Sequence, residues 1–185
     1  MKLNIALAGN PNSGLTTLFN QMTGGTEHQG NFSTANNKTK EGPVKLHKGV
    51  NVIELPGMYS LSEYTLDDLS NREILLKGKP DVIINIVDAT NFERNLYLTL
   101  QLMELGIPMV LALNMMDEVL NNKMEIDLVK LAERLTIPVL PISASKNRGI
   151  HDLIHYAIEA AKNNTIPQNI DFCKGHVHIA IHAIS

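Results

Sequence analysis

Only one cysteine occurs in the 185 residues, Cys173. An internal disulfide framework is therefore excluded, and the chain suits a reducing compartment. No apolar run reaches the length of a membrane span, and no repeat or low-complexity tract is present. Neither sign of charge dominates. Sixteen Lys and Arg stand against 19 Asp and Glu, a formal −3, so no strong pull toward nucleic acid is expected. The opening "MKLNIALAGN" is expected as a short apolar strand ending in a glycine turn rather than as a signal peptide. What remains is ordinary for a soluble globular chain, 44% hydrophobic and 19% charged. The length suits one domain, with at most a fragment of a second, and buries a full core without staples.

Apolar runs alternate with segments of helical period. Strands are expected at Lys2 to Gly9, Asn51 to Gly57, Asp81 to Thr90, Pro108 to Asp117 and Ile137 to Ala144. Helices are expected at Leu15 to Gly24, Leu66 to Lys77, Asn95 to Gly106, Asp127 to Leu135 and Ile150 to Asn163. The polar stretch Thr26 to Asn37 is expected as a loop. Such alternation predicts an α/β fold, a mostly parallel sheet with helices on both faces. Ligands of such sheets bind at the carboxyl ends of the strands. The pattern breaks after Asn164. Residues 1–164 are expected as one domain and 165–185 as a linker with the start of another.

"GNPNSGLTT", Gly9 to Thr17, has the spacing of a phosphate-binding loop between a strand and a helix. Gly9 and Gly14 allow the turn and a close backbone approach. The N–H groups and the helix dipole make an anion site of Asn10, Pro11, Asn12, Ser13, Gly14, Leu15, Thr16 and Thr17. Thr16 stands where a hydroxyl binds Mg²⁺. Leu15 stands where the pattern has a lysine for the β- and γ-phosphates. Losing one partner of a desolvated charge pair costs roughly 2–5 kcal/mol. Three further motifs follow at strand ends. "ELPG", Glu54 to Gly57, stands where GTP-binding domains have D-x-x-G. "NMMD", Asn114, Met115 and Asp117 among its residues, fits the guanine-reading N-[KM]-x-D pattern. An Asn and Asp after a strand can also simply cap a helix. "SAS", Ser143, Ala144 and Ser145, fits the loop that offers an N–H to guanine O6. Each alone is weak; their joint order and spacing is not.

Together with "LPGMYSLSEY", "PDVIINIVDATNFERNLYLTLQLMELGIPMVLALNMMDE" and "PVLPISASKNRGI", these motifs resemble the cytoplasmic G domain of the ferrous-iron transport protein B (FeoB) family. The resemblance covers roughly Leu3 to Lys162. It implies a P-loop GTPase fold that binds GTP and GDP with Mg²⁺ and hydrolyses GTP slowly. It also implies a K⁺ ion held by Asn12, which with Gly57 belongs to the catalytic set. Thr16, Asn36 and Glu54 would hold Mg²⁺, and Gly57 would sense the γ-phosphate. Asn114, Asp117, Ser143 and Ala144 would read guanine. The same family precedes a helical domain and a membrane domain that moves Fe²⁺. The chain is then expected to lie at the cytoplasmic face of the bacterial inner membrane, as a soluble part of a longer protein. A homo-oligomer is left open.

The departures from the family cluster. Leu15 replaces the lysine and Glu54 an aspartate. "HQGNFSTANNKTKEG" stands where the family has a W-P-G-V-T-V-type switch loop, with Asn36 at the Mg²⁺-binding threonine. Weakened nucleotide binding and hydrolysis are expected. The alternative is a degenerate pseudo-GTPase acting as a protein-interaction module. An RNA-associated GTPase is disfavoured by the acidic balance and by the middle block. His178 and His182 are spaced i, i+4, yet no carboxylate or cysteine completes a metal set. They, His176 and Cys173 are expected to be solvated or packing residues. The methionines at 103, 109, 115, 116 and 124 are expected in the core or beside the base pocket. By the resemblance Tyr59 and Tyr64 would fall in the second switch region and move with nucleotide state; a packing role is the equal alternative.

Overall fold

The computed structural model describes residues 2–25, 28–29, 39–61 and 66–168. Seven strands form one sheet in the order β2-β3-β4-β1-β5-β6-β7. In chain order they are β1 (Leu3–Gly9), β2 (His28–Gln29), β3 (Lys40–Pro43), β4 (Val50–Glu54), β5 (Val82–Asp88), β6 (Met109–Asn114) and β7 (Val139–Pro141). Strands β4, β1, β5, β6 and β7 run parallel. Strands β2 and β3 extend that sheet antiparallel, β3 against β4. The helices are α1 (Leu15–Thr23), α2 (Leu66–Gly78), α3 (Phe92–Met103), α4 (Met116–Asn121), α5 (Leu128–Leu135) and α6 (Ile150–Lys162). The expected α/β class holds, and the sheet is mostly parallel.

The central strands are apolar on both sides because both sides are covered. Alternate residues of β1 and β5 divide between two cores. Leu3, Ile5, Leu7, Val82, Ile84 and Ile86 pack with α1 and α6. Ala6, Ala8, Ile83 and Val87 pack with residues of α2, α3, α4 and α5. One polar side chain interrupts the apolar run. Asn85 donates from Nδ2 to the Ala8 carbonyl at 3.1 Å and accepts from the Thr99 hydroxyl at 2.6 Å. Its burial is thereby satisfied, and α3 is tied to the sheet centre.

Several boundaries differ from those expected. The strand expected to reach Asp117 ends at Asn114. Met115 turns left-handed, φ 64°, and α4 begins immediately. Asp117 therefore stands in the first turn of a helix, where a carboxylate suits the dipole. The strand expected over Ile137 to Ala144 forms its ladder with β6 only at Val139–Pro141. It lies at the sheet edge and contains prolines, which cannot donate to a ladder. Helix α3 starts at Phe92, three residues earlier than expected. The 3-10 turn Ala89–Asn91 precedes it, and the Asp88 side chain caps that turn by accepting from the Thr90 N–H. His28–Gln29, inside the expected loop, pairs with Lys40 and Glu41. Strand β3 was not expected at all; Gly42 and Pro43 are poor strand formers. No helix among the described residues is long and apolar enough to cross a membrane.

Candidate functional site

Strands β1, β4 and β6 end on one side of the sheet, and the loop after β7 joins them there. A cavity of about 740 Å³ opens at this edge. The turn after β1 forms its floor: Pro11, Asn12, Gly14, Leu15, Thr16 and Thr17 all line it. Gly9 closes β1, and Asn10 and Ser13 are buried beneath the turn. Gly14 adopts φ 103°, and a Cβ there would stand 2.3 Å from Asn114 Nδ2. Only glycine meets both constraints. Helix α1 begins after it with no side-chain cap and no acidic residue in its first turn. Its first N–H groups, with the positive end of the helix dipole, therefore suit an anion.

Glu54 and Gly57 line the opposite wall. The Leu55 and Met58 N–H groups donate to the Leu7 and Gly9 carbonyls at 3.1 and 3.0 Å. They pin the intervening Pro56-Gly57 over the loop. A Cβ on Gly57 would stand 3.0 Å from Pro11 Cα, so its backbone lies against the turn. The Thr16 hydroxyl donates to Glu54 Oε1 at 2.5 Å. Oε2 of Glu54 is buried with no hydrogen-bond partner among the described residues. An orphaned carboxylate oxygen beside a hydroxyl is a hard-oxygen donor set, and it fits Mg²⁺ held by one carboxylate with phosphate oxygens. No group of three or more His, Cys, Asp or Glu among the described residues forms an all-protein metal cage.

Leu15 is only 8% exposed and joins the core on the α1 face. It lines the cavity without offering it charge. Met115 completes the lining near the end of β6. Of the other methionines, Met103 and Met109 are core, while Met124 is exposed.

Asn114 joins three segments. Its Nδ2 donates to the Ser13 carbonyl at 2.9 Å, and its Oδ1 accepts from the Ala144 N–H at 2.9 Å. The phosphate-loop turn, the end of β6 and the "SAS" loop are thereby locked together. The Ala144 N–H, which the resemblance assigns to guanine O6, is engaged by Asn114 here. Gln21 of α1 also donates to the Ala144 carbonyl at 3.1 Å. Ser143 and Ser145 face one another, Oγ to Oγ 3.5 Å.

Lys146, which the sequence reading did not single out, pairs with Asp117 at 2.8 Å. The signal was present, a lysine directly after "SAS". The hydrogen bond from Lys146, then that from Ser143, holds the Asp117 carboxyl below its ordinary value of 3.8. A lowered carboxylate pKa contributes stability that is present above the ordinary value and lost as pH falls through the lowered one. The denaturation midpoints of the parent and of Lys146→Met should therefore differ by a constant amount from pH 7 down to roughly pH 5. The difference should shrink only below the ordinary carboxylate range. A gap that closes near neutrality would show that Asp117 is not the partner that matters.

A smaller cavity of about 180 Å³ adjoins the first, beside Asn10, Asn12, Asp88 and Arg94. The Arg94 guanidinium lies over the Tyr59 ring, 4.7 Å from its centroid, a cation–π contact that ties α3 to the segment after Gly57. Asn36, Tyr64, Cys173, His176, His178 and His182 lie outside the described residues.

The profile of the family "Ferrous iron transport protein B" matches residues 3–157. The chain belongs to this family. It is 47% identical over 157 residues to the Fe(2+) transporter FeoB of Salmonella typhimurium, covering 82% of this chain and 20% of that protein. The chain thus spans about a fifth of the length of this curated relative. A GDP-bound point mutant of the S. thermophilus FeoB G domain superposes with a TM-score of 0.83. The two are 42% identical, and the match covers 88% of this chain and 62% of that one. The FeoB G domain of Methanococcus jannaschii gives 0.76 at 43% identity, over 88% of this chain and 99% of that one. The fold is that of the FeoB G domains, a P-loop GTPase fold.

Proposed function

We propose that this chain is a guanine-nucleotide-binding, GTPase-type regulatory domain of a ferrous-iron transporter, with weakened nucleotide binding and slow hydrolysis. The observation that carries this reading is the Asn114 junction. It joins the phosphate-loop turn and the "SAS" loop to the end of β6, and Lys146, directly after that loop, pairs with Asp117. Asp117, kept ionised by Lys146 and Ser143, would accept from the N–H groups on guanine's Watson–Crick edge. A site built for those donors rejects bases without them. The GDP-bound FeoB G domain of S. thermophilus supports the same ligand class.

Thr16 and Glu54 would hold Mg²⁺, with Asn36 as a third residue, and Asn12 would hold K⁺. Bound Mg²⁺ would supply neutralisation of phosphate charge. The residues themselves would position rather than react. The uncapped first turn of α1 binds phosphate oxygens, and the Gly57 N–H orients the terminal phosphate. Glu54 is the one carboxylate lining the cavity among the described residues, and with it committed to Mg²⁺ catalysis would run by positioning and electrostatics. Residues 165–185 would lead toward a helical domain. The membrane domain of the longer protein would be the partner, with this domain on the cytoplasmic side.

The second reading, a pseudo-GTPase acting through protein contacts, is favoured by Leu15, buried where a phosphate-binding charge is expected. One experiment separates the two. Titration calorimetry with GDP and a non-hydrolysable GTP analogue, in Mg²⁺ and K⁺, should give micromolar binding and none for ADP. Phosphate release should then exceed background slowly. Guanine binding without release would select the pseudo-GTPase. Equal affinity for ADP would overturn the guanine reading.

A further inference from the structure

The phosphate end of the large cavity presents a difficulty of charge. Glu54 brings an anion to it, and Leu15 brings no cation. Beyond the Mg²⁺ that Glu54 and Thr16 would hold, a triphosphate placed there would meet only N–H groups and hydroxyls from the loop. Yet one cationic side chain among the described residues does line this cavity, and it comes from another part of the chain. Lys40 belongs to β3, and in the antiparallel ladder its Cα stands directly opposite that of Glu54.

Directly opposed residues in such a ladder project to the same face of the sheet, with Cβ atoms about 5 Å apart. The face is fixed by Glu54, whose carboxylate meets Thr16 across the cavity. Lys40 therefore rises beside Glu54 on the cavity side, half-buried. Lysine suits such a displaced role. Its ammonium is a point charge on a flexible four-carbon stem and needs no fixed direction of approach to phosphate. The charge need not arrive from the helix; it need only reach the same oxygens.

We propose that Lys40 supplies, from β3, the cation for the terminal phosphates of the nucleotide that Leu15 leaves the loop without. The assignment rests on the guanine-nucleotide reading above. It makes Lys40 a ligand-binding residue specific for the β- and γ-phosphates. A lysine that merely pairs across the sheet would behave otherwise.

The test is a binding series on the 185-residue chain in Mg²⁺, with GMP, GDP and a non-hydrolysable GTP analogue as probes, for Lys40→Met, Lys40→Arg and Leu15→Lys. Lys40→Met is expected to weaken GDP and the GTP analogue by at least about tenfold and to leave GMP nearly unchanged. Lys40→Arg should restore most of that loss. In a Leu15→Lys background, Lys40→Met should cost less than about threefold, because the helix again carries the charge. Thermal melting checks that each variant folds. Equal losses for GMP and GDP would overturn the assignment and leave Lys40 a sheet residue. So would unchanged GDP affinity, while leaving the guanine reading standing. A parent chain that binds no guanine nucleotide would overturn both.

Discussion

Leu15→Lys is expected to tighten binding of a GTP analogue by roughly one and a half to three and a half decades. One partner in a desolvated charge pair is worth about 2–5 kcal/mol, at about 1.4 kcal/mol per decade. The geometry allows the change. Leu15 lies at the floor of the cavity, at the start of α1, with its side chain against the core. A lysine can lay its methylenes along the same apolar path and carry the ammonium out into the cavity. If Lys40 already serves the phosphates, the gain falls at the lower end of that range. GMP, which lacks the outer phosphates, should gain little. Calorimetry of parent and variant side by side measures both. A gain below about threefold for the GTP analogue would mean that this cavity is not where the phosphates sit.

Asn114→Ala is expected to damage binding and stability together. The residue is almost fully buried, and its amide satisfies the Ser13 carbonyl and the Ala144 N–H. Truncation leaves both groups unpaired, at about 1–3 kcal/mol each, hence about 2–6 kcal/mol in all. For a chain of this length a loss of 1 kcal/mol lowers Tm by about 2–4 °C, so melting should fall by about 4 °C or more. Asn114→Asp keeps the acceptor for Ala144 but sets an oxygen against the Ser13 carbonyl, and should not rescue. Asp117→Asn provides the contrast. It should abolish guanine selectivity while changing the melting temperature far less, because Asp117 lies at the edge of α4 and not beneath the loop. A melting temperature for Asn114→Ala within about 1 °C of the parent would refute the junction's structural role.

The site residues divide into two kinds. Lys40 and Asp117 would act on the ligand directly, as would the ammonium introduced by Leu15→Lys. Asn114, Gly14 and Gly57 act by holding backbone where the ligand contacts are made. Gly14 can approach Asn114 only because it has no Cβ, and Gly57 can lie against Pro11 for the same reason. A substitution at either should therefore be read with a melting curve beside the binding curve.

The amino-acid order by itself determined the α/β class, the phosphate-loop turn, and the sequence of motifs at the strand ends. These are local properties. An apolar run, a helical period, a glycine turn and a helix N-terminus are each written within about ten residues. The order also exposed the missing charge at Leu15. What it left undecided depends on register and on distance along the chain. Strand β3 was hidden because Gly42 and Pro43 weaken its local signal, and it exists through pairing with β4. Helix α4 was hidden because the apolar run into "NMMD" continues without a break, whereas the left-handed turn at Met115 ends the strand. Asn114 meets Ser13 across 101 residues of sequence, and Asp117 meets Lys146 through the loop after β7. Only the tertiary structure placed Lys40 beside Glu54 at the cavity wall, because sheet register sets which side chains share a face, and no local pattern encodes it.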